Sequence, residues 1–302
     1  MKTFSALSVL LFFSSFLYSQ DSIGYRDFNN FRYEIENKPE TEIVNFLDQH
    51  LFTSSQKNDQ YFMKDLVKMS YFTAIKNAFA KGFRTDILDA PFDIQFSCGV
   101  GYRRKKSSKS YNTCYEVKKY TYLEVEKTIL AKINKLIALG ATLKIDDVKY
   151  ASSLGYKECL KTLLTLTSDP KMLSCALYEA SYNGYIDLVT YLVEDKNADP
   201  TIVHSGYSPL WAGIKYFEIS KYYVSKGYKL DLTLSNNSNM IQQAARYGCP
   251  ATVKLVLQFG PDVKIKNSWG DNAFSLCKES KSEDKDEVLL LLKEYNKKQK
   301  KG

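Results

Sequence analysis

From residue 148 to the C-terminal end one pattern returns every 29 to 33 residues, and nothing else in the chain restricts its fold as strongly. Val148-Lys149-Tyr150-Ala151, Leu177-Tyr178-Glu179-Ala180, Leu210-Trp211-Ala212-Gly213, Ile241-Gln242-Gln243-Ala244 and Phe274-Ser275-Leu276-Cys277 align, each an apolar residue followed three positions later by a small one. Self-similarity at this period marks a supersecondary unit that cannot bury its apolar face alone and therefore stacks on copies of itself. The expected fold is all-α, a run of stacked helix-turn-helix units. Such arrays present surface to other proteins far more often than they catalyse.

Each part of the unit has a physical reason. In Gly206-Tyr207-Ser208-Pro209-Leu210, Ser208 is placed to accept a backbone N–H at a helix start. Pro209 fits the first helical position, where no N–H is needed. Ala180, Ala244 and Ala245 allow close helix approach, and Gly184 and Gly248 suit the turn between two helices. Second helices space apolar residues by three and four, as in Leu188, Tyr191 and Leu192.

With the turns Asn197-Ala198-Asp199-Pro200 and Gly260-Pro261-Asp262-Val263, residues 141–295 resemble the ankyrin repeat. The resemblance implies an ankyrin-repeat solenoid. The chain departs from the family pattern in several places. Tyr178, Trp211, Gln242 and Ser275 stand where the family has His, and Phe217 stands where an inter-helix Gly belongs. The repeats are therefore degenerate, and imperfect stacking with only moderate stability is expected.

Upstream the pattern thins. Ile129 to Leu143 reads as a second helix and its turn, Leu66 to Gly82 as an older copy, and residues 41–52 as an amphipathic capping helix through Ile43, Val44, Phe46 and Leu47. The domain reading is an N-terminal segment with its capping helix at 20–60, a solenoid at 61–295, and a basic tail at 296–302. Residues 85–119 interrupt the period. Their alternating flanks favour strand, so an inserted β-hairpin-like finger is expected, with Arg103, Arg104, Lys105 and Lys106 at its basic tip. Cys98 and Cys114 lie symmetrically about residue 106; a disulfide across the hairpin and two unpaired thiols are the alternatives.

Residues 1–19 read as a secretory signal peptide cleaved near Ser19: Lys2, then an uncharged stretch rich in Leu, Phe and Ser. A retained membrane anchor is the alternative. Export to the periplasm or outside follows from the first reading. The formal net charge of +8 is a mild excess without a dense basic face, which argues against nucleic acid as partner. The six cysteines form no metal or redox spacing, and for those outside the finger core packing is the default, with 159–175 and 249–277 as alternative pairings. No nucleophile, metal or phosphate-binding motif occurs, and the chain has two histidines, so neither enzyme activity nor a cofactor is expected.

The ankyrin resemblance implies a concave binding face carrying Tyr182, Asn183, Lys215, Tyr216, Arg246 and Tyr247, with His204, Tyr207, Trp269 and Asp271 on the adjoining turns. Tyr, Trp and Arg dominate interface energies, so a row of them on such a face points to a protein partner. The functional expectation is an exported, non-enzymatic interaction module. The alternatives are an inhibitor or immunity-type protein occluding another protein's active site, a hydrolase hidden in residues 20–120, and attachment to an anionic surface through 103–109 and 297–301.

Overall fold

The computed structural model describes residues 22–83, 118, 124–203, 206–234 and 236–300. Among these the chain is all-α, with isolated β-bridges and no longer strand. It divides into two compact units, one of described residues 22–83 and 135–142, the other of 118, 124–134 and 143–300. The expected signal peptide and the basic finger with Cys98 and Cys114 lie outside the described residues, as does His204.

The first unit holds α1 (Tyr25–Tyr33), α2 (Glu40–Gln49), α3 (Ser54–Lys57), α4 (Gln60–Met69) and α5 (Phe72–Ala80). The capping helix expected at 41–52 is α2, which buries Ile43 and Leu47 and leaves Val44 and Phe46 half-buried. The older copy expected near 66–82 is the pair α4 and α5. Ser70 joins them at φ +62°, the left-handed conformation that glycine adopts in the later turns. The core is aromatic: the ring of Phe83 lies 4.9 Å from Phe52 and 5.2 Å from Phe62, which in turn lies 5.3 Å from Phe28.

The second unit holds residues 124–134 of α6 (Glu124–Ala138), then α7 (Ile145–Leu154), α8 (Lys157–Leu163), α9 (Pro170–Asn183) and α10 (Ile186–Glu194). It continues with α11 (Pro209–Ala212), α12 (Phe217–Ser225), α13 (Met240–Tyr247), α14 (Pro250–Leu257), α15 (Ala273–Glu279) and α16 (Lys285–Gln299). First helices pack in sequence order, α9 between α7 and α11 and α15 on α13. Second helices do the same, α12 between α10 and α14 and α16 on α14. This is the pair-on-pair stacking that the period demands.

Local chemistry sets the helix ends. Ser208 Oγ accepts from Trp211 N at 3.1 Å with Pro209 in the first turn, as the sequence implies. Gly184 ends α9 at φ +81° and also supplies room: a Cβ there would sit 2.6 Å from the Tyr216 ring. Without a glycine the copy at 206–230 cannot make that turn cheaply, because a side chain at positive φ costs about 1–2 kcal/mol. Its first helix is cut to four residues, continues as a 3-10 turn, Gly213–Lys215, and enters α12 through an extended Tyr216 at φ −108°. The irregularity of this copy is absorbed in one shortened helix.

Carboxylates join consecutive second helices. Glu40 of α2 accepts from Thr73 N (2.6 Å) and Ala74 N (3.1 Å) at the start of α5. In the second unit Glu126, fully buried, accepts from Glu158 N (2.7 Å) and Cys159 N (3.2 Å) at the start of α8. Both fill orphan donors of a helix N-terminus, one repeat away in sequence. At the C-terminal end α16 buries Val288 and Leu292. It runs to Gln299, so residues 296–299 continue the helix and place Lys297 and Lys298 in its favourable last turn.

Cys159, Cys175 and Cys277 are free and buried. Burial pushes the thiols of Cys175 and Cys277 up to about 11, so both behave as compact apolar groups. Cys249 is disulfide-bonded. Neither the 159–175 nor the 249–277 pairing forms.

Candidate functional site

The second unit carries a groove of about 640 Å³. The C-terminal part of α9 supplies Tyr178 and Tyr182, the turn before α11 supplies Tyr207, and α11 itself supplies Trp211. From α13 come Gln242, Gln243, Arg246 and Tyr247; the loops before α13 and α15 add Asn236, Asn267, Trp269 and Asp271. Tyr178 and Tyr182 stack with centroids 6.0 Å apart, and Tyr207 meets Trp211 at 6.5 Å. Tyr182 (45%), Tyr207 (42%) and Trp269 (70%) are exposed despite their size.

Trp269 is held out on a locked turn. Asn267 Oδ1 accepts from Trp269 N (3.0 Å) and Asp271 N (2.9 Å), and Asn267 N donates to Asp271 O at 2.9 Å. Ser268 N donates to Asn236 O at 2.9 Å, which ties this turn to the one before α13. Gln242 Nε2 donates to Ile265 O and Asp271 O. An exposed aromatic on so constrained a loop loses little entropy when it is covered.

Electrostatics around the tyrosines are uneven. Burial, then Glu179, then the neighbouring phenols push Tyr178 up to about 12, which keeps it a neutral donor. Burial also raises the Glu179 carboxyl, and Asn183 Nδ2 donates to that residue's backbone oxygen at 2.9 Å. Lys215 Nζ lies 3.9 Å from the Tyr182 ring centroid and 5.0 Å from that of Tyr216. Burial, then the charge of Lys118, pulls its amine down to about 8. A depressed lysine is largely uncharged above that pH, so an amine-reactive acetylating reagent at about pH 8 is expected to label Lys215 ahead of the exposed lysines Lys171 and Lys266. Peptide mapping by mass spectrometry would show it; labelling no faster than at those two lysines would refute the local environment described here.

No protein-family model and no curated protein matches this chain.

Of the residues named from sequence, the groove brings together Tyr182, Tyr207, Arg246, Tyr247, Trp269 and Asp271. Lys215 stands at its Tyr182 edge, and Asn183 is turned to the carbonyl of Glu179. Tyr216 is a correction. It was expected in the exposed row, yet only 6% of it is exposed, because its ring covers Gly184. Sequence reasoning missed Tyr178, Trp211 and Gln242 as lining residues. Each follows its repeat anchor by one position, where the family pattern has His, and that departure was the signal.

Proposed function

We propose that the chain is an exported, non-enzymatic ankyrin-type repeat protein that grips a protein partner in the groove of its second unit. One observation carries the reading: Tyr182, Tyr207 and Trp269 stand exposed around a single groove, on helix ends and hydrogen-bonded turns that hold them in place. Large aromatics presented rigidly beside an arginine are the composition of an interface hot spot. Their exposure costs free energy unless something covers them. The ankyrin assignment is supported by the sequence pattern together with helix pairs stacked in sequence order. Export is supported by the apolar N-terminal stretch and by a disulfide at Cys249, a bond that persists in oxidising compartments.

The test is affinity capture from extracellular or periplasmic extract with the mature chain and with Tyr182→Ala/Tyr207→Ala/Trp269→Ala. A control, Tyr25→Ala/Tyr33→Ala, removes still more exposed aromatics from the other unit. With helicity equal by circular dichroism, a partner held by wild type and control is expected to be lost by the triple variant, since each anchor carries about 2 kcal/mol. Equal retention by all three proteins would sink the groove as the docking surface.

A further inference from the structure

Taking the groove as the docking surface, we propose that its occupant is an acidic peptide segment of the partner with interspersed apolar side chains, its carboxylates meeting Arg246 and Lys215. Arg246 sits in the last turn of α13 and lines the groove beside Tyr247. Among the described residues its guanidinium forms no hydrogen bond or ion pair, although the groove contains two carboxylates, those of Asp271 and Glu279. Asp271 is engaged elsewhere, accepting from Ser275 Oγ at 3.1 Å. A planar guanidinium held beside aromatic walls offers paired donors to a carboxylate, and partial desolvation strengthens the bond.

The second cation lies at the other edge. Lys215 is seated over the Tyr182 face, and Lys118, whose Nζ is 4.7 Å from the Tyr185 ring, is near enough to repel it. A carboxylate arriving there relieves the repulsion between the two ammonium groups. Between these edges the exposed faces of Tyr182, Tyr207 and Trp269 suit apolar side chains. The chain's net charge of +8 favours approach of such a segment. A neutral oligosaccharide would use the aromatic faces and leave both cations idle, which is why charge complementarity favours the acidic peptide.

Three peptides carrying one neutral dye, alternating Phe with Glu, Gln or Lys, are titrated against the mature chain by fluorescence anisotropy. The Glu peptide is expected to bind at least about tenfold tighter than the Gln peptide, and the margin should shrink with added salt. Arg246→Gln removes most of the margin, Arg246→Lys keeps part of it, and Lys215→Gln reduces it. The proposal is overturned if the Gln or Lys peptide binds as tightly, if Arg246→Gln leaves the preference intact, or if the Glu peptide shows no binding at millimolar concentration. Equal binding of all three peptides, weakened alike by Trp269→Ala, would leave the groove as a docking surface and remove the acidic occupant. Glu-peptide binding indifferent to Trp269→Ala and Tyr182→Ala would instead discard the groove itself. Binding of maltoheptaose with none of the peptides would overturn the proposal in favour of a glycan.

Discussion

Gly184→Ala is expected to lower the free energy of unfolding by about 3 kcal/mol, a large effect for one methyl group. Two costs combine. The backbone at 184 has φ +81°, where a side chain is strained, and the new Cβ would stand 2.6 Å from Cε1 and Cζ of Tyr216. That ring is buried, so it has no free space into which to swing. Gly206→Ala separates the two terms, because Gly206 has φ +88° with nothing within 4 Å of an added Cβ. It should cost only the conformational part, about 1 kcal/mol. Urea unfolding followed by circular dichroism compares them directly. A fall in midpoint for Gly184→Ala no larger than that for Gly206→Ala would refute the packing of Tyr216 over the turn.

Tyr223→Ala carries the second large expectation. Tyr223 has no exposed surface, and its hydroxyl lies 2.6 Å from Ser181 Oγ. Ser181 Oγ is also 2.7 Å from the carbonyl of Leu177, to which it donates, so Tyr223 is the donor in the shared bond. Removing the ring leaves a cavity between α9 and α12 and costs about 4 kcal/mol. Tyr223→Phe keeps the ring and loses one buried hydrogen bond, about 1–2 kcal/mol. On thermal unfolding the alanine variant should melt about 10 °C below wild type and the phenylalanine variant only a few degrees below. If the two variants melted together, the hydroxyl and not the ring volume would hold the site.

Much of the second unit was legible because its signals are local. Ser208 with Pro209 marks a helix start, Gly184 and Gly248 mark turns, and the spacing of Leu188 and Leu192 marks a buried stripe. What could not be read depends on geometry set elsewhere. The position of Tyr216 follows from a helix that ends in a 3-10 turn, which carries its ring inward over the preceding repeat. Trp211 looks like a core residue and is buried, yet it also lines the groove, 6.5 Å from the ring of Tyr207. The aromatic row was visible as composition; its closure into one groove needed the loops at 236 and 267, whose amides carry no periodic signal.

Several of the bonds that register one repeat on the next, the Tyr223–Ser181 pair apart, share a property with a longer reach. Glu40 and Glu126 hold backbone amides, Ser282 Oγ holds the carbonyl of Gly248, Asn239 holds that of Asp262, and Gln242 holds those of Ile265 and Asp271. In every case one partner is main chain, which almost any residue supplies. Substitution on that side leaves the link intact, so only one of the two positions in each link is under constraint. A fold fastened in this way tolerates wide sequence drift while its architecture persists, and likeness to other proteins fades from the residues long before it leaves the backbone.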